Sequence, residues 1–328
     1  APSLEGVNYD ETSDAATLDS ELFEEEGSAA PNSAETVRET PVSPLSSAPV
    51  EMPAPLPTIA KGLSLEEASA DGDPVAEYLW GQTRLEANDF AEGPEFIRRA
   101  AQQGVPAAQY RLAKLHEKGL GVPRDLTAAR TWTERAARGG NVKAMHDLAV
   151  FFADGEGGPQ SYAGAAEWFR QAADYGLVDS QYNLAVLYEN GLGISPSKVE
   201  ALYWYEIAAR NGDASAPGNV TELRNALDLS EAQSAQRRAA TWTPSAIPAA
   251  ANGEFGVQNW QNGSREQVAS IQQVLNGLGY HAGTPDGLAG TGTRNAIRAF
   301  QTSAGLTPDG QISNGLVEAL NEQAQSAA

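Results

Sequence analysis

Trp132, Trp168 and Trp204 stand 36 residues apart, and Gly104, Gly140, Gly176 and Gly212 keep the same interval. Gly119, Gly155 and Gly191 share it. A fixed period of this length is the mark of one small unit stacked on copies of itself. A stack of that kind points to an extended binding surface and away from a single catalytic pocket.

The copies align without gaps as 105–140, 141–176 and 177–212. Each opens with apolar residues three and four apart, such as Ala108, Leu112, Ala113 and Leu115, which is the face of a helix. Gly119, Gly155 or Gly191 then ends that helix, because glycine accepts the left-handed conformation at a helix C-terminus. A turn follows, and Asp125, Ser161 and Ser197 stand where an N-cap would open a second helix. That helix carries Trp132, Trp168 or Trp204, expected to supply a large buried area of about 150–250 Å². Ala-Ala pairs allow close helix approach. A shorter copy precedes these, with Phe96 in register with Trp132, and a partial one follows Gly212 around Leu223 and Leu227. Atypical end copies are expected of a capped stack.

The stretches Ala-Gln-Tyr-Arg-Leu-Ala-Lys-Leu-His-Glu-Lys-Gly-Leu-Gly-Val at 108–122 and Ala-Leu-Tyr-Trp-Tyr-Glu-Ile-Ala-Ala-Arg-Asn-Gly at 201–212 resemble the Sel1-like repeat, a relative of the tetratricopeptide repeat. The resemblance covers roughly residues 73–230. It implies an α/α solenoid that serves as a protein-interaction scaffold.

The repeat register also disposes of two of the three histidines. His116 stands where Phe152 and Tyr188 stand, and His146 where Tyr110 and Tyr182 stand, so both read as packing residues. His281 is isolated in a loop. No His-Glu-x-x-His or Gly-x-Ser-x-Gly motif occurs, and there is no cysteine. The sequence therefore predicts no metal site, no cofactor and no enzymatic activity. A net charge of −21 disfavours nucleic acid as a partner. No run of 18 apolar residues is present, so no membrane span is expected within this chain.

The first 63 residues carry twelve acidic side chains against Arg38 and Lys61, with Pro, Ser and Ala dominating from Pro41 to Pro57. They read as a disordered acidic linker. Leu22-Phe23-Glu24-Glu25-Glu26 reads as solvated linker or as a docking peptide. The repeats occupy 64–230. Residues 231–263 read as a short helix, opened by a capping box at Ser230-Glu231-Ala232-Gln233, followed by an Ala/Pro/Gly/Asn-rich linker.

From Ser264 a second pattern begins. Val268, Ile271, Val274, Leu275 and Leu278 share a helical face. Thr-Pro-Asp-Gly occurs at 284–287 and again at 307–310, each time as a turn before a helical stretch. Residues 264–328 thus predict a compact three-helix module. Its Leu278-Gly279-Tyr280, Asp286-Gly287, Gly290, Thr293, Phe300-Gln301 and Asp309-Gly310 resemble the peptidoglycan-binding domain found beside many cell-wall hydrolases, with Gly292 as an added glycine. The resemblance implies non-catalytic binding of cell-wall glycan or stem peptide. Tyr280, Asp286, Gly287, Gln301, Asp309 and Gly310 are the candidate contacts. The aspartates and glycines read first as turn formers and second as ligand contacts.

The order of repeats and wall-binding module resembles the periplasmic part of polar localisation factors of the PodJ family. The overall expectation is an all-α protein: a Sel1-like solenoid plus a small peptidoglycan-binding domain. It would be a periplasmic scaffold, the C-terminal part of a single-pass inner-membrane protein, with peptidoglycan and envelope proteins as partners. An accessory or fragment of a cell-wall hydrolase and a soluble periplasmic signalling regulator stand as alternatives.

Overall fold

The computed structural model describes residues 56–326. Leu22–Glu26 and most of the acidic stretch lie outside the described residues. Among those described, all regular structure is helical, and no helix is long and apolar enough to cross a membrane.

The first helix is short, α1 (Leu65–Ala70), and the solenoid proper runs as helix pairs: α2 (Pro74–Glu86) with α3 (Gly93–Gln102), α4 (Pro106–Lys118) with α5 (Leu126–Arg138), α6 (Val142–Asp154) with α7 (Tyr162–Asp174), and α8 (Val178–Asn190) with α9 (Lys198–Arg210). Two further helices, α10 (Ala216–Ala226) and α11 (Leu229–Thr241), close its C-terminal end against α9. Each helix packs on the next, so the pairs stack in chain order. The caps fall where the sequence puts them. Gly119, Gly155 and Gly191 are left-handed C-caps at φ 71, 74 and 66°. The Asp125 carboxylate accepts from Thr127 and Ala128 N–H at 2.9 and 3.0 Å, and Ser161 and Ser197 cap α7 and α9 in the same role. One cap is displaced from expectation. The capping box of α11 is Asp228 with Glu231, not one opened by Ser230, whose hydroxyl donates to Asp228 instead. A carboxylate is the stronger acceptor for the free N–H groups at a helix start.

A second set of glycines joins copy to copy. Gly121, Gly157 and Gly193 have φ of 68, 61 and 67°. A side chain on them would run into the backbone of Phe90, Leu126 and Tyr162 respectively, at or beside the start of the second helix of the preceding pair. Each turn therefore rests backbone to backbone on the copy before it.

The core runs along the stack through Leu112, Leu148 and Leu184 on the first helices. On the second helices it takes in the buried Ile97, Thr133, Phe169 and Tyr205, each one residue beyond the expected aromatic ladder. Trp132 and Trp168 are only half-buried, and the Arg135 guanidinium covers Trp132 at 4.5 Å. One residue along a helix turns a side chain by about 100°, so the tryptophan lies at the rim and its neighbour faces inward. Trp204 is buried because Trp242, just after α11, packs edge-on to it at 6.3 Å.

Residues 242–263, expected to be linker, lie as a strap that retraces the stack. Pro244 lies on Gly176, and Ser245 N–H donates to the Asp174 carbonyl at 2.8 Å. Pro248 lies on Gly140. The strap then makes a 3₁₀ turn over Ala250–Asn252. There Asn141 Nδ2 donates to the Ala251 carbonyl, and Asn252 Oδ1 accepts from Val142 N–H at 2.8 and 2.9 Å. Phe255 meets Tyr78 on α2 edge-on at 5.6 Å. The small residues of this segment let its backbone come close, and the asparagines satisfy polar groups that a solvated linker would leave to water.

His146 is buried, its Nδ1 2.8 Å from Ser180 Oγ and its ring edge-on to Phe169 at 5.4 Å. His116 is half-buried, with Nδ1 3.3 Å from the Pro123 carbonyl. Both sit in packing roles. Desolvation lowers the His146 pKa, against the smaller pull of Asp147 and Asp179, while Lys114 adds to the lowering.

Two outcomes are expected. Gly157→Ala should destabilise the chain by about 1–3 kcal/mol from the left-handed backbone alone, plus the cost of parting the copies, as read by urea denaturation. For His146 the unfolded chain binds the proton more tightly, near an ordinary pKa of about 6.5. Its stabilising contribution is thus complete above that value and declines as pH falls through it. Urea midpoints between pH 7.5 and 5 should drop for the wild type and follow a flatter course for His146→Phe.

Candidate functional site

The C-terminal module is three helices, α12 (Arg265–Gly277), α13 (Thr291–Ser303) and α14 (Asn314–Ser326). They close on Ile271, Val274, Leu275, Ile297, Phe300, Leu316, Val317 and Leu320. The two Asp-Gly turns are built alike. Gln272 Nε2 donates to Asp286 Oδ1 at 3.0 Å and its Oε1 accepts from Gly287 N–H at 2.9 Å. Gln301 Nε2 donates to Asp309 Oδ1 and its Oε1 accepts from Gly310 N–H, both at 2.8 Å. Each aspartate also caps its own turn, accepting from Leu288 or Gln311 N–H. These backbone N–H groups, followed by the glutamine amides, hold both carboxyls below the usual range.

This geometry sorts the six candidate contacts. Gln301 is 3% exposed and its amide is spent on the second turn, so it braces the fold and is not free to meet a ligand. Gly287 and Gly310 are buried, with their N–H groups donated inward. Asp286 and Asp309 stay exposed. Tyr280 is half-buried, edge-on to Phe300 at 5.4 Å, with its hydroxyl 2.6 Å from Ser303 Oγ. Among these residues the structure leaves Tyr280, Asp286 and Asp309 with surface to offer. Sequence reasoning passed over Leu288, which follows the first Asp-Gly and is 58% exposed. An apolar residue directly after a turn was the available signal.

It also passed over residues 56–63, read as part of the acidic linker. Ile59 is 2% exposed inside the three-helix core, and Leu56 packs beside it against Gly277. Asn321 holds the Ile59 backbone from both sides, accepting its N–H at 2.8 Å and donating to its carbonyl at 2.9 Å. Gln267 donates to the Ala60 carbonyl, and Lys61 pairs with Glu318 at 2.5 Å. Next, Gly62 N–H donates to Asn262 Oδ1 at 3.1 Å, and Leu63 N–H to the Trp260 carbonyl at 2.6 Å. The two ends of the solenoid and its strap are thus pinned together, and the module is completed by chain from the far side of that insertion. Burial of Ile59 offsets the entropy of ordering this segment.

A helical repeat solenoid joined to a small three-helix module is the class these features define. The Sel1 repeat family matches residues 106–141, 142–176 and 178–213, and the family described as "Putative peptidoglycan binding domain" matches 264–320. The chain is homologous to the localization factor PodJL of Caulobacter vibrioides, at 50% identity over 240 residues in each of two strains. That match takes in 70% of this chain and 23% of the relative, so the chain spans about a quarter of the length of the curated relatives it matches. Among solved structures, a Sel1 repeat protein from Oxalobacter formigenes is similar at 24% identity, with a TM-score of 0.47 over 55% of this chain and 77% of that one. A protective antigen of uropathogenic Escherichia coli displaying an SLR fold is similar at 18% identity, with a TM-score of 0.48 over 80% and 56%.

Ile59→Ala should cost about 2–5 kcal/mol, the usual range for emptying a core isoleucine. Hydrogen exchange should speed up in α12 and α14 and stay unchanged in α4–α9.

Proposed function

We propose that this chain is a non-catalytic scaffold of the bacterial envelope, exposed to the periplasm. It binds peptidoglycan through its C-terminal module and protein partners through its solenoid, and takes part in polar localisation. The observation that carries this reading is the peptidoglycan-binding match over 264–320 in a chain homologous to a localization factor. The loop after α12 supports a wall-facing role. Tyr280 offers a ring for a sugar face, and Leu288 and the Asp286 carboxylate offer apolar and polar contact on the same short loop. Asp309 is the corresponding polar group on the second turn. The solenoid supports the partner-binding role through its open faces, and His116 and His146 are occupied in its packing.

The test is co-sedimentation of the full chain with purified sacculi. The wild type should pellet. Leu288→Asp and Tyr280→Ala should each weaken pelleting about tenfold, a loss near 1.4 kcal/mol. Wild-type protein that stays in the supernatant while its circular dichroism reports the folded helices would sink the wall-binding claim.

A further inference from the structure

The four homologous corners of the stack are all left-handed, with φ of 93, 92 and 94° at Gly104, Gly140 and Gly176 and 103° at Gly212. Each is a shallow notch between one helix pair and the next, with bare backbone where a Cβ would stand. Two of the notches are filled by the strap, and both by a proline. A Cβ on Gly176 would touch Pro244 at 3.2 Å, and one on Gly140 would touch Pro248 at 3.3 Å. Among the described residues, a Cβ on Gly212, which the chain passes before the strap begins, would meet nothing within 4 Å, nor would one on Gly104. The strap departs from its course there because Asn252 turns back, accepting from Val142 N–H and donating to the Gly140 carbonyl at 3.2 Å. The result is a cavity of about 560 Å³ beside Gly104, lined by Val105, Pro106, Gly139, Pro248, Ala250 and Phe255 among others.

The geometry points to the Gly104 notch as a docking site for a proline-bearing extended segment of a partner protein. The argument is one of equivalence. The same chain position, with the same backbone conformation, takes a proline ring from this chain's own strap twice over. The ring suits the place physically. It lies flat on a surface without a Cβ, it brings no N–H group that would need a partner, and an extended proline segment loses little entropy on binding. Where Pro244 docks, the next residue donates its N–H to the Asp174 carbonyl, the last residue of α7. The equivalent carbonyl at the open notch belongs to Gln102, the last residue of α3. The cavity is largely apolar, which matches a proline with small neighbours and not a charged segment. This site specifies the chemistry of one partner contact on the solenoid and rests on the scaffold reading only for the solenoid, since wall binding is tested separately by sedimentation.

The probe is a ten-residue peptide with the strap's own sequence over 241–250, Thr-Trp-Thr-Pro-Ser-Ala-Ile-Pro-Ala-Ala, titrated into the 15N-labelled full chain. Amide shifts should concentrate at Gly104, Val105 and Gly139. Ala250→Trp, which fills the cavity from an exposed strap position, should weaken binding about tenfold, as should exchanging both prolines of the peptide for serine. The proposal is overturned by the absence of shifts, by an affinity that neither change alters, or by shifts at Gly140 and Gly176, which would mean that the peptide displaces the strap.

Discussion

The structure depends on a backbone contact repeated from copy to copy: the turn glycine of one pair lying against the second helix of the pair before it. Gly121, Gly157 and Gly193 make it with Phe90, Leu126 and Tyr162. In each the nearest atom is backbone, so the turn and the helix before it meet at backbone distance. The rest of the repeat follows from that spacing. It brings Leu112, Leu148 and Leu184 into one continuous core, and it turns the residue after each tryptophan inward. It also places the corners at Gly104, Gly140 and Gly176 at regular intervals, ready for a strap of matching pitch.

The strap changes what kind of object the solenoid is. A free repeat array has two open ends and transmits contacts only to neighbours. Here the chain returns along the corners and meets its own start, where Leu63 bonds Trp260 and Gly62 bonds Asn262. The repeat array is therefore an insertion within the C-terminal module, which needs Ile59 from before the array to complete its core. Among the described residues, those before the solenoid pack in that module, and the strap after the solenoid leads back to it. Such an arrangement couples the orientation of the solenoid to that of the C-terminal module, since the two share structural elements.

The candidate site was legible in proportion to how local its logic was. The echo of Thr-Pro-Asp-Gly located both turns, and the turns are where the sequence puts them. What spacing alone left open was the division of labour within each turn. Gln301 and Gln272 spend their amides inside, and the glycines are buried, so the surface left is that of the exposed Asp286, Asp309 and overlooked Leu288, with Tyr280 half-buried. The histidines went the other way. The repeat register marked His116 and His146 as aromatic equivalents, and the structure gives them those packing positions.

By itself the sequence determined the solenoid pairs and most of their caps, because these are governed by interactions within about 36 residues and are repeated, so each copy corroborates the others, and it determined the three helices of the module through their local pattern. Tertiary structure alone decided the fate of residues 56–63 and 242–263. Together they are rich in Pro, Ala, Gly and Asn, and their large apolar residues, such as Ile59, Trp242 and Phe255, follow no helical or strand period. Ile59 finds its partner Asn321 across 262 residues, and Asn141 finds Ala251 across 110. Contacts at such separation leave no period in the chain. They form because a surface already folded offers unsatisfied carbonyls and an uncovered apolar core, and a nearby segment small enough to fit satisfies both.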